Sequence, residues 1–142
     1  MCYNCVDRHV EAGNGDITAF IHESSYSNIS EKFTYKEMQN RVGRLASIMK
    51  KQFGIEKGDR VLLYMPMIPA SAFAMLACAR IGAIQSVVFG GFAAKELANR
   101  IQDCKPKLII TASCGLEPGK IIKYRPIVDE AIAMCTGIEN AH

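Results

Sequence analysis

The sequence predicts an α/β fold, a mostly parallel sheet with helices on both faces. Two observations carry this: short apolar runs bounded by turn residues alternate with stretches of helical apolar spacing, and the connections between them are short. A third is composition, 49% hydrophobic and 22% charged over 142 residues, enough apolar material for one buried core. The order reads strand, helix, strand, helix, strand, helix, strand, loop, helix, with no internal repeat, low-complexity tract or dividing linker.

Thr34, Tyr35, Lys36 and Glu37 fit a capping box, in which a hydroxyl and a carboxylate satisfy the free amides of a helix start. Met38, Val42, Leu45 and Met49 then recur at helical spacing, and Gly54 is placed to end the helix. Gly58-Asp59 turns the chain into Val61 to Met65, a run short enough to be a strand buried on both faces. Pro69 suits the first turn of a second helix that reaches Arg80 and stops at Gly82. Ala83 to Phe89 is the next buried strand, broken by Gly90-Gly91. Ala94, Leu97, Ile101 and Cys104 mark a third helix that Pro106 terminates, and Lys107 to Ala112 reads as another strand. Ser113 to Lys120 reads as a loop, and Ile127 to Met134 as a last helix with Gly137 beyond it. Ligands of such sheets sit at the carboxyl ends of the strands, so the loops beginning at Pro66, Gly90 and Ser113 form the candidate functional edge.

Lys plus Arg outnumber Asp plus Glu by 17 to 14, an evenly spread excess that argues against nucleic-acid binding. Six cysteines without framework spacing or a signal peptide read as free thiols in a reducing compartment. Cys2, Cys5 and His9 cluster, but a zinc site needs about four ligands and no second pair follows, so packing and turn roles are favoured. Residues 61–79 carry no charge and approach the length of a membrane span. Pro66 and Pro69 interrupt them, which favours a strand, a tight turn and a buried helix over a span.

The glycines of Phe89-Gly90-Gly91-Phe92-Ala93-Ala94-Lys95 could bring backbone amides to an anion. Neither G-x-x-x-x-G-K-[ST] nor G-x-G-x-x-G is present, so a tight strand-to-helix turn is the better reading. Glu117-Pro118-Gly119-Lys120 suits a type II turn that presents Lys120 as a cation for a phosphate, though spacing alone favours an ordinary surface turn. No Ser, His and Asp set supports nucleophilic catalysis; the histidines are His9, His22 and His142.

Six strings extend these readings: Tyr3-Asn4-Cys5-Val6-Asp7-Arg8-His9, Phe33-Thr34-Tyr35, Lys57-Gly58-Asp59-Arg60-Val61, Tyr64-Met65-Pro66-Met67-Ile68-Pro69, residues 74–83 (AMLACARIGA) and Ser86-Val87-Val88-Phe89-Gly90-Gly91-Phe92. Taken together, over essentially the whole chain, they resemble the AMP-forming acetyl- and propionyl-CoA synthetases of the adenylate-forming superfamily. The resemblance implies a ligase that converts a short carboxylic acid and ATP, with Mg²⁺, to an acyl-adenylate, and then passes the acyl group to CoA. It implies that residues 1–142 are an incomplete part of the large N-terminal domain, that 1–30 correspond to the synthetase N-terminal extension, and that the small C-terminal domain is absent.

On the same resemblance, Glu117, Pro118, Gly119 and Lys120 contact the nucleotide end of CoA, and Phe89, Gly90 and Gly91 line the same pocket. The acetyl-type pattern usually has arginine where this chain has Glu117. The Glu-Pro-Gly-basic version is more like the propionyl-preferring branch of the mitochondrial matrix, with a cytoplasmic location as the alternative. Glu117 is then expected to point away from the ligand or to pair with another base. No Ser/Thr/Gly-rich loop ending in Pro-Lys, the holder of ATP phosphates in this superfamily, occurs in the 142 residues. The chain alone is therefore expected to be inactive, and a non-catalytic CoA- or partner-binding module is the alternative.

Overall fold

Arg60–Met65 is the strand around which the chain is organised. The structure is a computed structural model and describes residues 1–137; His142 lies outside the described residues. Two short π-helical turns, Tyr3–Asp7 and Val10–Asn14, lead into a hairpin of β1 (Thr18–Ser24) and β2 (Ile29–Thr34). Then follow α1 (Tyr35–Phe53), β3 (Arg60–Met65), α2 (Pro69–Ile81), β4 (Ile84–Phe89), α3 (Ala94–Cys104) and β5 (Leu108–Thr111). A second hairpin, β6 (Cys114–Glu117) and β7 (Lys120–Lys123), runs directly into α4 (Tyr124–Ala133).

The main sheet has the order β4-β3-β5, all parallel. Alternation along β3 divides the core into two layers, as a strand of period two must. Val61 and Leu63 face Met38, Val42 and Met49 of α1 and Phe73 and Ala77 of α2. Leu62 and Tyr64 face Leu97 and Ile101 of α3 and Val128 and Ala131 of α4. Residues 61–79 thus form a strand, a turn and a helix, and among the described residues no helix is long and apolar enough to cross a membrane.

The helix ends follow their local chemistry. Thr34 accepts from the Glu37 amide while the Glu37 carboxylate accepts from the Thr34 amide, so both halves of the capping box form. Gly54 and Gly82 close α1 and α2 with φ of +58° and +76°. The amino edge of the sheet is stapled by polar groups: the Lys107 ammonium donates to the Gly54 carbonyl at 2.7 Å and the Asp59 carboxylate at 2.9 Å. Arg60 donates to the Cys104 carbonyl at 2.6 Å, holding the end of α3. The leading residues are tied down by Asp7, which takes two bonds from Arg80, at 2.7 and 2.8 Å, and one from Gln39 at 2.8 Å.

Three expectations are corrected. One strand was expected before Thr34, but a hairpin stands there; Phe33 is the only buried residue of β2, so little apolar pattern marks it. The expected loop from Ser113 to Lys120 is instead β6, a two-residue turn and the start of β7, with Glu117 opposite Lys120. The last helix starts at Tyr124 rather than Ile127, since Pro126 falls in the first turn, where a missing amide costs no helical bond. The cysteines among the described residues are free, Cys2 and Cys78 buried, Cys5 and Cys114 exposed. The His9 ring stacks on Tyr35 at 4.4 Å, and among the described residues no group of His, Cys, Asp or Glu is placed to hold a metal ion.

Candidate functional site

At the carboxyl edge of β3 and β4 no ion pair among the described residues ties the strand ends together as Lys107 and Asp59 do at the opposite edge, and the chain opens into an apolar groove of about 730 Å³. Met65, Pro66 and Met67 leave β3 on one side of it, Phe89, Gly90 and Gly91 leave β4 on another, and the β6–β7 hairpin supplies Leu116 and Glu117. Loops predicted from strand order alone are therefore brought to one place. The Pro66 turn is held by the Ser71 hydroxyl, which donates to the Pro66 carbonyl at 2.7 Å.

Gly90-Gly91 acts as a close-packed turn. A Cβ at Gly90 would strike the Tyr124 hydroxyl and lie 2.9 Å from the Met65 carbonyl oxygen. One at Gly91 would meet the Phe89 ring. This agrees with the reading of the segment as a tight turn, and it also gives the turn a place in the groove wall.

Of the four residues assigned to the CoA nucleotide, Glu117 lines the groove, and Pro118 and Gly119 form the turn beside it, Gly119 at φ +72° as the third position of a type II turn requires. Lys120 lies at the rim, its ammonium 3.1 Å from the Glu117 carboxylate. Glu117 thus neither points away nor pairs with a different base: the register that sets it opposite Lys120 makes Lys120 its partner. Lys120 and Glu117 side chains are 64% and 45% exposed. An ion pair this wet is worth well under about 1 kcal/mol and opens readily for a better ligand.

Sequence reasoning did not single out two tyrosines. Tyr64, fully buried on β3, donates to the Phe92 carbonyl at 2.6 Å, and Tyr124 packs against it with ring centres 5.0 Å apart. Burial, with the Glu117 carboxylate adding to it, pushes the Tyr124 phenol above its usual range, so it stays protonated. A shallower hollow of about 460 Å³ lies over α3, lined by Phe92 from the preceding turn and by Glu96, Asn99, Arg100 and Asp103 of the helix surface.

Residues 6–139 match the family model described as "AMP-binding enzyme". The chain is 54% identical over 132 residues to acyl-CoA synthetase short-chain family member 3, mitochondrial, of Homo sapiens, covering 93% of this chain and 19% of that protein. It is 51% identical over 140 residues to acetyl-coenzyme A synthetase of Streptomyces coelicolor, covering 99% of this chain and 21% of that one. The chain thus spans about a fifth of the length of the curated relatives it matches.

Proposed function

The chain belongs to the AMP-binding enzyme family, and on that premise we propose that it supplies the CoA-facing edge of an ATP-dependent ligase that activates a short-chain carboxylic acid and transfers the acyl group to CoA. The observation that carries the reading is the convergence of the Glu117-to-Lys120 turn with the Gly90-Gly91 turn at one apolar groove on the carboxyl edge of the sheet. In this reading Lys120 at the rim takes a phosphate of CoA, giving up Glu117 for a more highly charged partner. The rigid Pro118-Gly119 turn fixes where its side chain starts, and the apolar wall takes the uncharged arm.

Residues 1–142 form part of the large N-terminal domain of such a ligase, and 1–30 correspond to its N-terminal extension. The acid in this reading is propionate or acetate, and the Glu-Pro-Gly-basic turn, more like that of the propionyl-preferring branch, supports propionate. The word "mitochondrial" in the name of a 54% identical relative supports the mitochondrial matrix; the bacterial relatives keep the cytoplasm as the alternative. ATP and Mg²⁺ are given no position on this chain. Its described residues hold no carboxylate cluster placed for a metal, and its sequence has no Ser/Thr/Gly-rich loop ending in Pro-Lys.

Titration calorimetry of CoA into the purified chain tests the reading. A charge-assisted contact predicts that Lys120→Ala weakens binding on the order of tenfold at low salt and less at high salt. An unchanged dissociation constant would return the turn to an ordinary surface feature.

A further inference from the structure

Tyr124 is 4% exposed, yet it belongs to the groove wall. Its phenol reaches the strand ends through a gap left by two glycines. A side chain at Gly90 would strike its hydroxyl, and a Cβ at Gly115 would lie 2.8 Å from its ring. The neighbouring Tyr64 hydroxyl is satisfied by the Phe92 carbonyl. Among the described residues the Tyr124 hydroxyl has no hydrogen-bond partner; its one close aromatic contact is with the Tyr64 ring. The ring is buried but the hydroxyl itself opens on the groove, so packing holds it, unengaged by protein, where a group entering the groove would meet it.

We infer that Tyr124 is a specificity-determining residue of this edge, its hydroxyl hydrogen-bonding an amide of the pantetheine arm of CoA; the inference rests on the CoA reading given above. The surrounding wall is made of Met65, Met67, Phe89 and Leu116, against which methylene groups bury favourably. An amide entering such a wall loses its water and must recover a polar contact there. The phenol can meet it either way round, accepting from the amide N–H or donating to its carbonyl. Glu117, which lines the same groove, and Lys120 beside it stand at the rim, so a ligand whose phosphate engages Lys120 has its uncharged arm directed along the wall that Tyr124 completes.

Two probes separate the contributions: CoA, and adenosine 3′,5′-bisphosphate, which has a nucleotide end like that of CoA and no arm. Tyr124→Phe removes one oxygen and keeps the ring packed on Tyr64, and circular dichroism verifies the fold. The expected result is about a threefold to tenfold loss of CoA affinity with the bisphosphate unchanged, as for one neutral hydrogen bond. Equal loss for both probes, or no loss for either, overturns the role of Tyr124. If Lys120→Ala weakens both probes while Tyr124→Phe affects neither, the CoA reading stands and this inference falls. If neither probe binds the unaltered chain, both fall.

Discussion

At Gly90 only a hydrogen fits, because a Cβ would meet the Tyr124 hydroxyl and crowd the Met65 carbonyl oxygen at 2.9 Å. The two obstacles differ in kind: the phenol oxygen can be removed by mutation, while the carbonyl belongs to the strand. Gly90→Ala is therefore expected to destabilise the fold by about 1–3 kcal/mol, the usual range for overpacking. Tyr124→Phe in the same chain should return part of that loss. A double-mutant cycle by urea denaturation measures the coupling, and strictly additive losses would show that the hydroxyl is not what excludes a side chain at Gly90. The sequence marks Gly90 as a turn residue through its place after an apolar run. It could not show which distant group makes glycine necessary, since Tyr124 arrives from another element.

Elements with a burial period were legible for a physical reason: α1, β3, α2 and α3 each bury a repeating apolar face, and their ends carry Thr34, Gly54, Gly82 or Pro106, whereas β4, expected to be a buried strand, is a sheet edge that buries only Val88 and was legible from its β-branched run alone. Elements made chiefly of exposed residues were not. In β6 and β7, Gly115 is the one fully buried residue, so nothing but the Pro118-Gly119 turn betrayed a hairpin. The candidate site was half legible on the same terms. Strand order located its loops, while the Glu117–Lys120 pair and Tyr124 depended on register and packing that only coordinates show. Because both halves of the box are formed, Thr34→Ala should cost about 1 kcal/mol in thermal or chemical denaturation, and no measurable loss would mean the cap is redundant. The leading segment offers a pH test. Burial alone would raise the Asp7 carboxyl, but hydrogen bonds from Gln39 and Arg80 outweigh it and hold the group below its ordinary range. A depressed value means that Asp7 contributes fully above about pH 4, the unfolded carboxyl range, and that its contribution fades as pH falls toward the lower folded value. Asp7→Asn at neutral pH should loosen the segment in the same way, and Cys2, 3% exposed beneath it, should then react faster with an aromatic disulfide reagent. Identical labelling rates in the two chains would count against the clamp.

For the whole molecule, the distribution of stabilising groups is uneven. The amino edge of the sheet is closed by Lys107, Asp59 and Arg60, whereas the carboxyl edge and β4 are left open. Catalysis is set by the sequence instead: with no Ser/Thr/Gly-rich phosphate loop in its 142 residues, the purified chain should not exchange pyrophosphate into ATP with acetate or propionate. Exchange above a buffer control in preparations free of host synthetase would contradict that expectation. Solution behaviour should reflect the asymmetry. Ile84, Val87 and Phe89 of β4 are 57%, 60% and 71% exposed, and among the described residues β4 pairs with a neighbour on one side only. An apolar strand with a free row of amides and carbonyls is a template for another chain, and β4 carries neither a charge nor a proline to discourage it. The chain should therefore associate as its concentration rises, with the reaction strengthened by salt because burial of apolar surface drives it. Val87→Lys places a charge on the open strand at a position that buries little, so it should suppress association while leaving the thermal midpoint nearly unchanged. Sedimentation velocity over a hundredfold concentration range separates these outcomes, and a chain that stays monomeric throughout would show that the edge is protected in solution.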